Sequence, residues 1–144
     1  MSLGERIVRV VGPEVVNDVD ALVGLSSLRS LYTSRRGVET PEPPPGPYTL
    51  DTLAGEGLGL RDLSAMTAFR TLKDFGLGDS NANDLTPLAG LWRLEEIYIE
   101  NAPVRDITPL AGLKNLKTLR LWSTLVSDLS PLAGLKKLKH LELT

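Results

Sequence analysis

Leucine, isoleucine and phenylalanine return along this chain at fixed offsets of three, three, three and two. The last three segments show it most clearly: DLTPLAGLWRLEEIYIENAPVR at 84–105, DITPLAGLKNLKTLRLWSTLVS at 106–127 and DLSPLAGLKKLKHLELT at 128–144. Asp84, Asp106 and Asp128 open these units, and Pro87, Pro109 and Pro131 stand three places later in each, so the period is 22 residues without a gap. Such a period predicts a solenoid of stacked units rather than a globule with one central core. The same frame extends backwards to Asp62, Thr40 and Asp18. Unit one fills its slots with Leu22, Leu25, Leu28 and Leu31. Unit three does so with Met66, Phe69, Leu72, Phe75 and Leu77. Unit two is degenerate: it keeps Leu50, Leu53, Leu58 and Leu60 but places Pro44 and Pro47 in core slots.

Each unit resolves into two elements. Leu119, Arg120 and Leu121 alternate apolar and polar, the period-two signature of a strand buried on one side. Ahead of it, Thr-Pro-Leu-Ala-Gly-Leu predicts a short helical turn, with Thr108 as cap, Pro109 where a missing N–H is harmless and Gly112 permitting a sharp exit. No unit can bury its own leucines, but parallel strands stacked roughly 4.8 Å apart form one continuous core. Ile7 to Val11 read as a further apolar strand. The expected division is therefore an N-terminal cap strand, 1–17, followed by repeats over 18–144 with frames starting at 18, 40, 62, 84, 106 and 128, the last truncated.

PLAGL at 87–91, 109–113 and 131–135, followed by L-x-x-L-x-[LI] and then Asp with Leu or Ile, resembles the leucine-rich repeats. The similarity is to the 22-residue subclass of bacterial internalins and of the eukaryotic phosphatase-1 regulator. It covers 18–144, most strongly 62–144. It implies an α/β fold: a right-handed leucine-rich repeat solenoid with a parallel β-sheet on the concave face and short helical or 3-10 turns on the convex side. It also implies a role in binding other proteins. One regular departure stands out. Three places after the last strand leucine the family usually has asparagine, whereas this chain has Leu58, Ser80, Ala102 and Thr124, with Asn101 one place early. Hydroxyls or water are then expected to satisfy the neighbouring backbone.

Composition narrows the function. A formal charge of −2 lacks the basic excess of a general nucleic-acid binder. No cysteine is present, which points to the cytoplasm and removes thiol nucleophiles and thiolate metal sites. No apolar run is long enough to span a bilayer, and Glu5, Arg6 and Arg9 interrupt what would be a secretory signal. With a single histidine, His140, multi-histidine metal ligation is ruled out. GEGLGL at 55–60 lacks the lysine of a phosphate loop. The recurring Asp62, Asp84, Asp106 and Asp128 read as one turn-capping role repeated, not a calcium site. No acid, base and nucleophile converge, so neither an enzyme nor a cofactor is expected.

The alternation assigns three outward side chains to every strand, and the aromatic and arginine residues among them are the expected anchors of an interface. Tyr98, Arg120 and Trp122 fall on neighbouring strands, with Glu96, Glu100, His140 and Glu142 around them; together these seven form the predicted protein-binding site. The competing reading has Arg120 neutralising Glu100 and Glu142 while Trp122 packs at the rim. Lys114, Lys117, Lys136, Lys137 and Lys139 form a basic strip away from the strands, with Trp92 exposed on the same side. An acidic partner or an anionic membrane would fit that strip, but a solvated face is the expectation. PEPPPGP at 41–47 contains a P-x-x-P pattern and reads better as an irregular back to unit two.

The expected function is thus a non-catalytic protein-recognition module, the sensor part of a larger bacterial signalling or defence protein. Two readings stand beside it: a regulatory subunit that binds and modulates an enzyme, and a structural spacer or surface adhesion repeat. The chain stops directly after a strand. A longer natural protein cut there is the expectation, against an edge-to-edge homodimer or a frayed end.

Overall fold

The computed structural model describes residues 6–10, 28–38, 52–58, 63, 66–67 and 69–144. Leu22, Leu25, the proline run at 41–47, Leu50, Leu60 and Asp62 lie outside the described residues. Seven strands form one sheet in chain order: β1 (Arg6–Val10), β2 (Leu28–Val38), β3 (Thr52–Leu58), β4 (Asp74–Gly78), β5 (Glu96–Glu100), β6 (Thr118–Trp122) and β7 (His140–Leu143). Every pairing is parallel. From β3 to β7 the offset is 22 throughout, as in Phe75↔Ile97, Ile97↔Leu119 and Leu119↔Leu141. The degenerate second unit still supplies its strand in register, with Ser30↔Thr52 and Thr52↔Asp74. The first strand joins with an irregularity between Arg6 and Ile7, after which Ile7 pairs with Ser30 rather than with a residue 22 places on.

Short 3-10 helices precede the last three strands, at Thr86–Leu88, Thr108–Gly112 and Ser130–Gly134. The reason is legible in the spacing. Leucines three apart eclipse on a helix of three residues per turn, and the backbone follows them. Leu110, Leu113 and Leu116 each donate an N–H to the carbonyl three residues earlier, on Ile107, Leu110 and Leu113, at 2.9–3.0 Å. The buried leucines thereby satisfy one another's backbone groups as well as packing together. Ile107, Leu110, Leu113, Leu116, Leu119 and Leu121 are all at most 1% exposed. Burial weakens at β7, where Leu141 and Leu143 are 40% and 46% exposed.

Two local expectations are corrected. Thr108 is not the cap of its helix: the preceding residue, Ile107, holds that place without a side-chain bond, and Thr108 already lies within the helix. The capping acceptor is Asp106, whose Oδ1 receives the Thr108 N–H at 2.8 Å. Asp84 and Asp128 do the same for Thr86 and Ser130. A carboxylate reaching two residues ahead leaves nothing for the threonine to cap. Gly112, for its part, makes no demand on its backbone, and a Cβ there would meet nothing within 4 Å. The sharp turn falls after the strand instead, at Asp79, Asn101 and Ser123, whose φ values are 50°, 50° and 49°. Asn101 therefore matters one place earlier than the usual asparagine, in a left-handed conformation that asparagine and aspartate tolerate better than most residues. The N–H groups of Asp79, Asn101 and Ser123 donate to Glu100, Trp122 and Thr144 on the following rung. The hydroxyl expected to help is Ser80, which accepts the Ala82 N–H at 3.0 Å.

Candidate functional site

Because the inward positions of β4, β5 and β6 are filled by the core, the others stand on the outward face in columns. Register places Asp74, Glu96, Thr118 and His140 in one column, Gly76, Tyr98, Arg120 and Glu142 in the next, and Gly78, Glu100 and Trp122 in the third. All seven predicted site residues therefore share one face, on three adjacent strands.

At its centre lies Arg120. Its guanidinium carbon stands 4.9 Å from the centroid of the Tyr98 ring and 5.7 Å from that of Trp122, within the range of cation–π attraction. Its Nε donates to Glu142 Oε1 at 2.8 Å. Of the two carboxylates expected to neutralise it, Glu142 does so and Glu100 forms no ion pair with it, because the guanidinium is aimed along its own column towards Glu142. Trp122 is half-buried rather than fully exposed. On the other side, the Tyr98 hydroxyl donates to Glu96. Burial, together with that bond and the Glu96 charge, pushes the Tyr98 hydroxyl up to about 12, with Arg120 opposing. His140 and Glu100 flank the cluster, both exposed.

The face also contains Asp74, passed over by a criterion that looks for aromatics and arginines. It accepts a hydrogen bond from the Thr52 hydroxyl at 2.9 Å. Burial, with Glu96 and Glu95 nearby, raises its carboxyl above the ordinary value of 3.8 despite that bond. Gly76 and Gly78 carry no side chains, so the face is low over β4 and walled by Tyr98 and Glu100 on β5.

The basic strip is more engaged than its spacing suggests. Lys117 pairs with Glu95, and Lys137 donates to Asn115 Oδ1 at 2.7 Å. Lys114 donates to the carbonyls of Ala111 and Gly134 at 2.8 and 3.4 Å. Asp84 and Asp106 are held below their usual range by the hydroxyl and N–H of Thr86 and Thr108, and Asp128 by the N–H and hydroxyl of Ser130. Each aspartate is thus committed to its own turn. Among the described residues, no group of three or more acidic or histidine side chains is placed to hold a metal ion, and no helix is long and apolar enough to cross a membrane.

No protein-family model matches the chain, and no curated protein matches it. Solved structures do. Internalin C2 from Listeria monocytogenes is 30% identical, with a TM-score of 0.74 over 90% of this chain and 57% of that one. Internalin F from the same species is 18% identical, with a TM-score of 0.60 over 88% of this chain and 51% of that one. The plant peptide hormone receptor RGFR1, solved in complex with RGF2, is 17% identical, with a TM-score of 0.51 over 86% of this chain and 18% of that one. The chain thus spans little more than half the length of either internalin. A 22-residue register from β3 to β7 in an all-parallel sheet, leucines in both the 3-10 turns and the strands, and these neighbours lead to one assignment: the chain is a leucine-rich repeat protein.

Proposed function

We propose that this chain is a non-catalytic protein-recognition module that binds its partner through the outward face of the sheet, centred on Tyr98, Arg120 and Trp122. The observation that carries this reading is the contact of Arg120 with both rings, together with its bond to Glu142. Arginine and large aromatics are the usual hot-spot residues of interfaces, and here the arginine is already engaged by both rings and a carboxylate. Binding then orders little, and less of the contact energy is lost to side-chain entropy. Glu96, Glu100 and His140 form the polar rim. The likeness to internalins and to a receptor solved with a peptide hormone supports the same direction. The absence of cysteine supports a cytoplasmic setting, and the internalin neighbours a bacterial one, as the sensing part of a larger signalling or defence protein.

The test is capture from bacterial lysate by the wild type, by Tyr98→Ala/Arg120→Ala/Trp122→Ala and by Trp92→Ala, each with unchanged circular dichroism. A protein retained by wild type and Trp92→Ala but lost by the triple variant places the site on the sheet face. Loss of a hot spot worth about 2 kcal/mol weakens affinity roughly thirtyfold, enough to abolish capture. Equal capture by the triple variant refutes the assignment.

A further inference from the structure

Away from the sheet face, on the flank where the chain passes from 3-10 turn to strand, one side chain has no role in the stack. Trp92 is 64% exposed. The repeat supplies its own control, because the same slot one and two units later holds Lys114 and Lys136, and one unit earlier Arg70. A slot that accepts lysine on successive rungs does not need an indole for packing. We propose that this flank is a docking surface for an anionic phospholipid bilayer, with Trp92 at the lipid–water boundary and Arg93, Lys114, Lys136 and Lys137 against the headgroups.

Three features support this surface. The first is charge. The two adjoining slots, 70/92/114/136 and 71/93/115/137, contain no acidic side chain. Glu95, three residues beyond Trp92, is paired with Lys117, which holds it below its ordinary range. A chain of net charge −2 thus gathers a positive patch around Trp92, the most exposed aromatic among the described residues. The second is order. Lys137 donates to Asn115, Asn115 Nδ2 donates to the Trp92 carbonyl at 3.0 Å, and Lys114 is tied to Ala111 and Gly134. These bonds link three rungs, and the Arg93 guanidinium carbon lies over the indole at 5.9 Å from its centroid. The third is shape. Each neighbouring turn carries a glycine: a Cβ added at Gly90 or Gly112 would meet nothing within 4 Å, and one at Gly134 would meet only the flexible Lys114 Nζ, at 3.0 Å. Open space at these positions suits the approach of a planar sheet of charge. Tryptophan favours the boundary between an apolar and a wet phase, and lysine and arginine are drawn to anionic leaflets over about a Debye length.

The experiment is co-sedimentation of the full chain with phosphatidylcholine vesicles, with and without phosphatidylglycerol as about a third of the lipid. Binding is expected only to the anionic vesicles, and raising the salt should reverse it. In Trp122→Phe, where Trp92 is the sole tryptophan, its emission should shift to the blue on binding. Trp92→Ala and Lys136→Glu/Lys137→Glu, with circular dichroism unchanged, should each weaken partitioning, the charge reversal by at least about tenfold. Equal binding to neutral vesicles overturns the proposal, as does absence of binding at low salt or indifference to the charge reversal. Binding of soluble polyglutamate without vesicle binding also overturns it and reassigns the strip to an acidic protein.

Discussion

Leu119 and Leu141 occupy the same slot on successive rungs, one sealed by neighbours on both sides and the other 0.4 exposed in relative terms, so replacing each by alanine tests the stack against itself. Leu119 is 0% exposed and sits between Ile97 and Leu141. Removing three buried carbons at roughly 0.8 kcal/mol each costs about 2.4 kcal/mol of transfer energy. The cavity left between two rungs adds to this, for a total of about 3–4 kcal/mol. Leu141 is 40% exposed and encloses no sealed cavity, so the same change there should cost only about 1–1.5 kcal/mol. Equilibrium urea denaturation of the two variants, compared at equal m-value, reads both figures. A loss below about 1 kcal/mol for Leu119→Ala, or equal losses for the pair, would refute the assigned register and the source of stability.

Four further outcomes follow from the local chemistry. The carboxyls of Asp84, Asp106 and Asp128 are depressed, so their contribution is present above the ordinary value of 3.8 and lost as pH falls through their folded values. Asp106→Ala should therefore lower the denaturation midpoint at neutral pH, with the gap to wild type closing in acid. Asp74 is raised instead, so its contribution is lost as pH rises; Asp74→Asn should equal or exceed wild-type stability at neutral pH and lose that advantage below 3.8. Ultraviolet titration should find one tyrosine ionising at about 12, absent in Tyr98→Phe and shifted towards 10 in Glu96→Gln. At the exit of β5, Asn101→Val should cost about 1–2 kcal/mol because a branched side chain is strained at φ 50°, whereas Gly112→Ala at the end of a 3-10 helix should be neutral or stabilise by up to about 1 kcal/mol. Melting temperatures of the two variants, measured side by side, check the contrast.

A 22-residue period of apolar positions was enough to determine which side chains face inward, which strands are neighbours and which outward residues share a column. Register in a half-buried sheet has only one solution, since a slip by one place would expose Ile97, Ile99, Leu119 and Leu121 together. Hence Tyr98, Arg120 and Trp122 were placeable on one face from their positions alone. Tertiary structure decided matters that depend on direction rather than spacing. It chose Asp106 over Thr108 as the acceptor at the turn, and it put the left-handed residue at Asn101 rather than a bend at Gly112. It also sent Arg120 to Glu142 and left Glu100 aside. The N-terminal pairing, where Ile7 meets Ser30 out of the 22-residue step, was likewise set in three dimensions. Burial is additive along a repeat and so can be written into a period, whereas a hydrogen bond or a cation–π contact is won by whichever neighbour the folded backbone brings within reach.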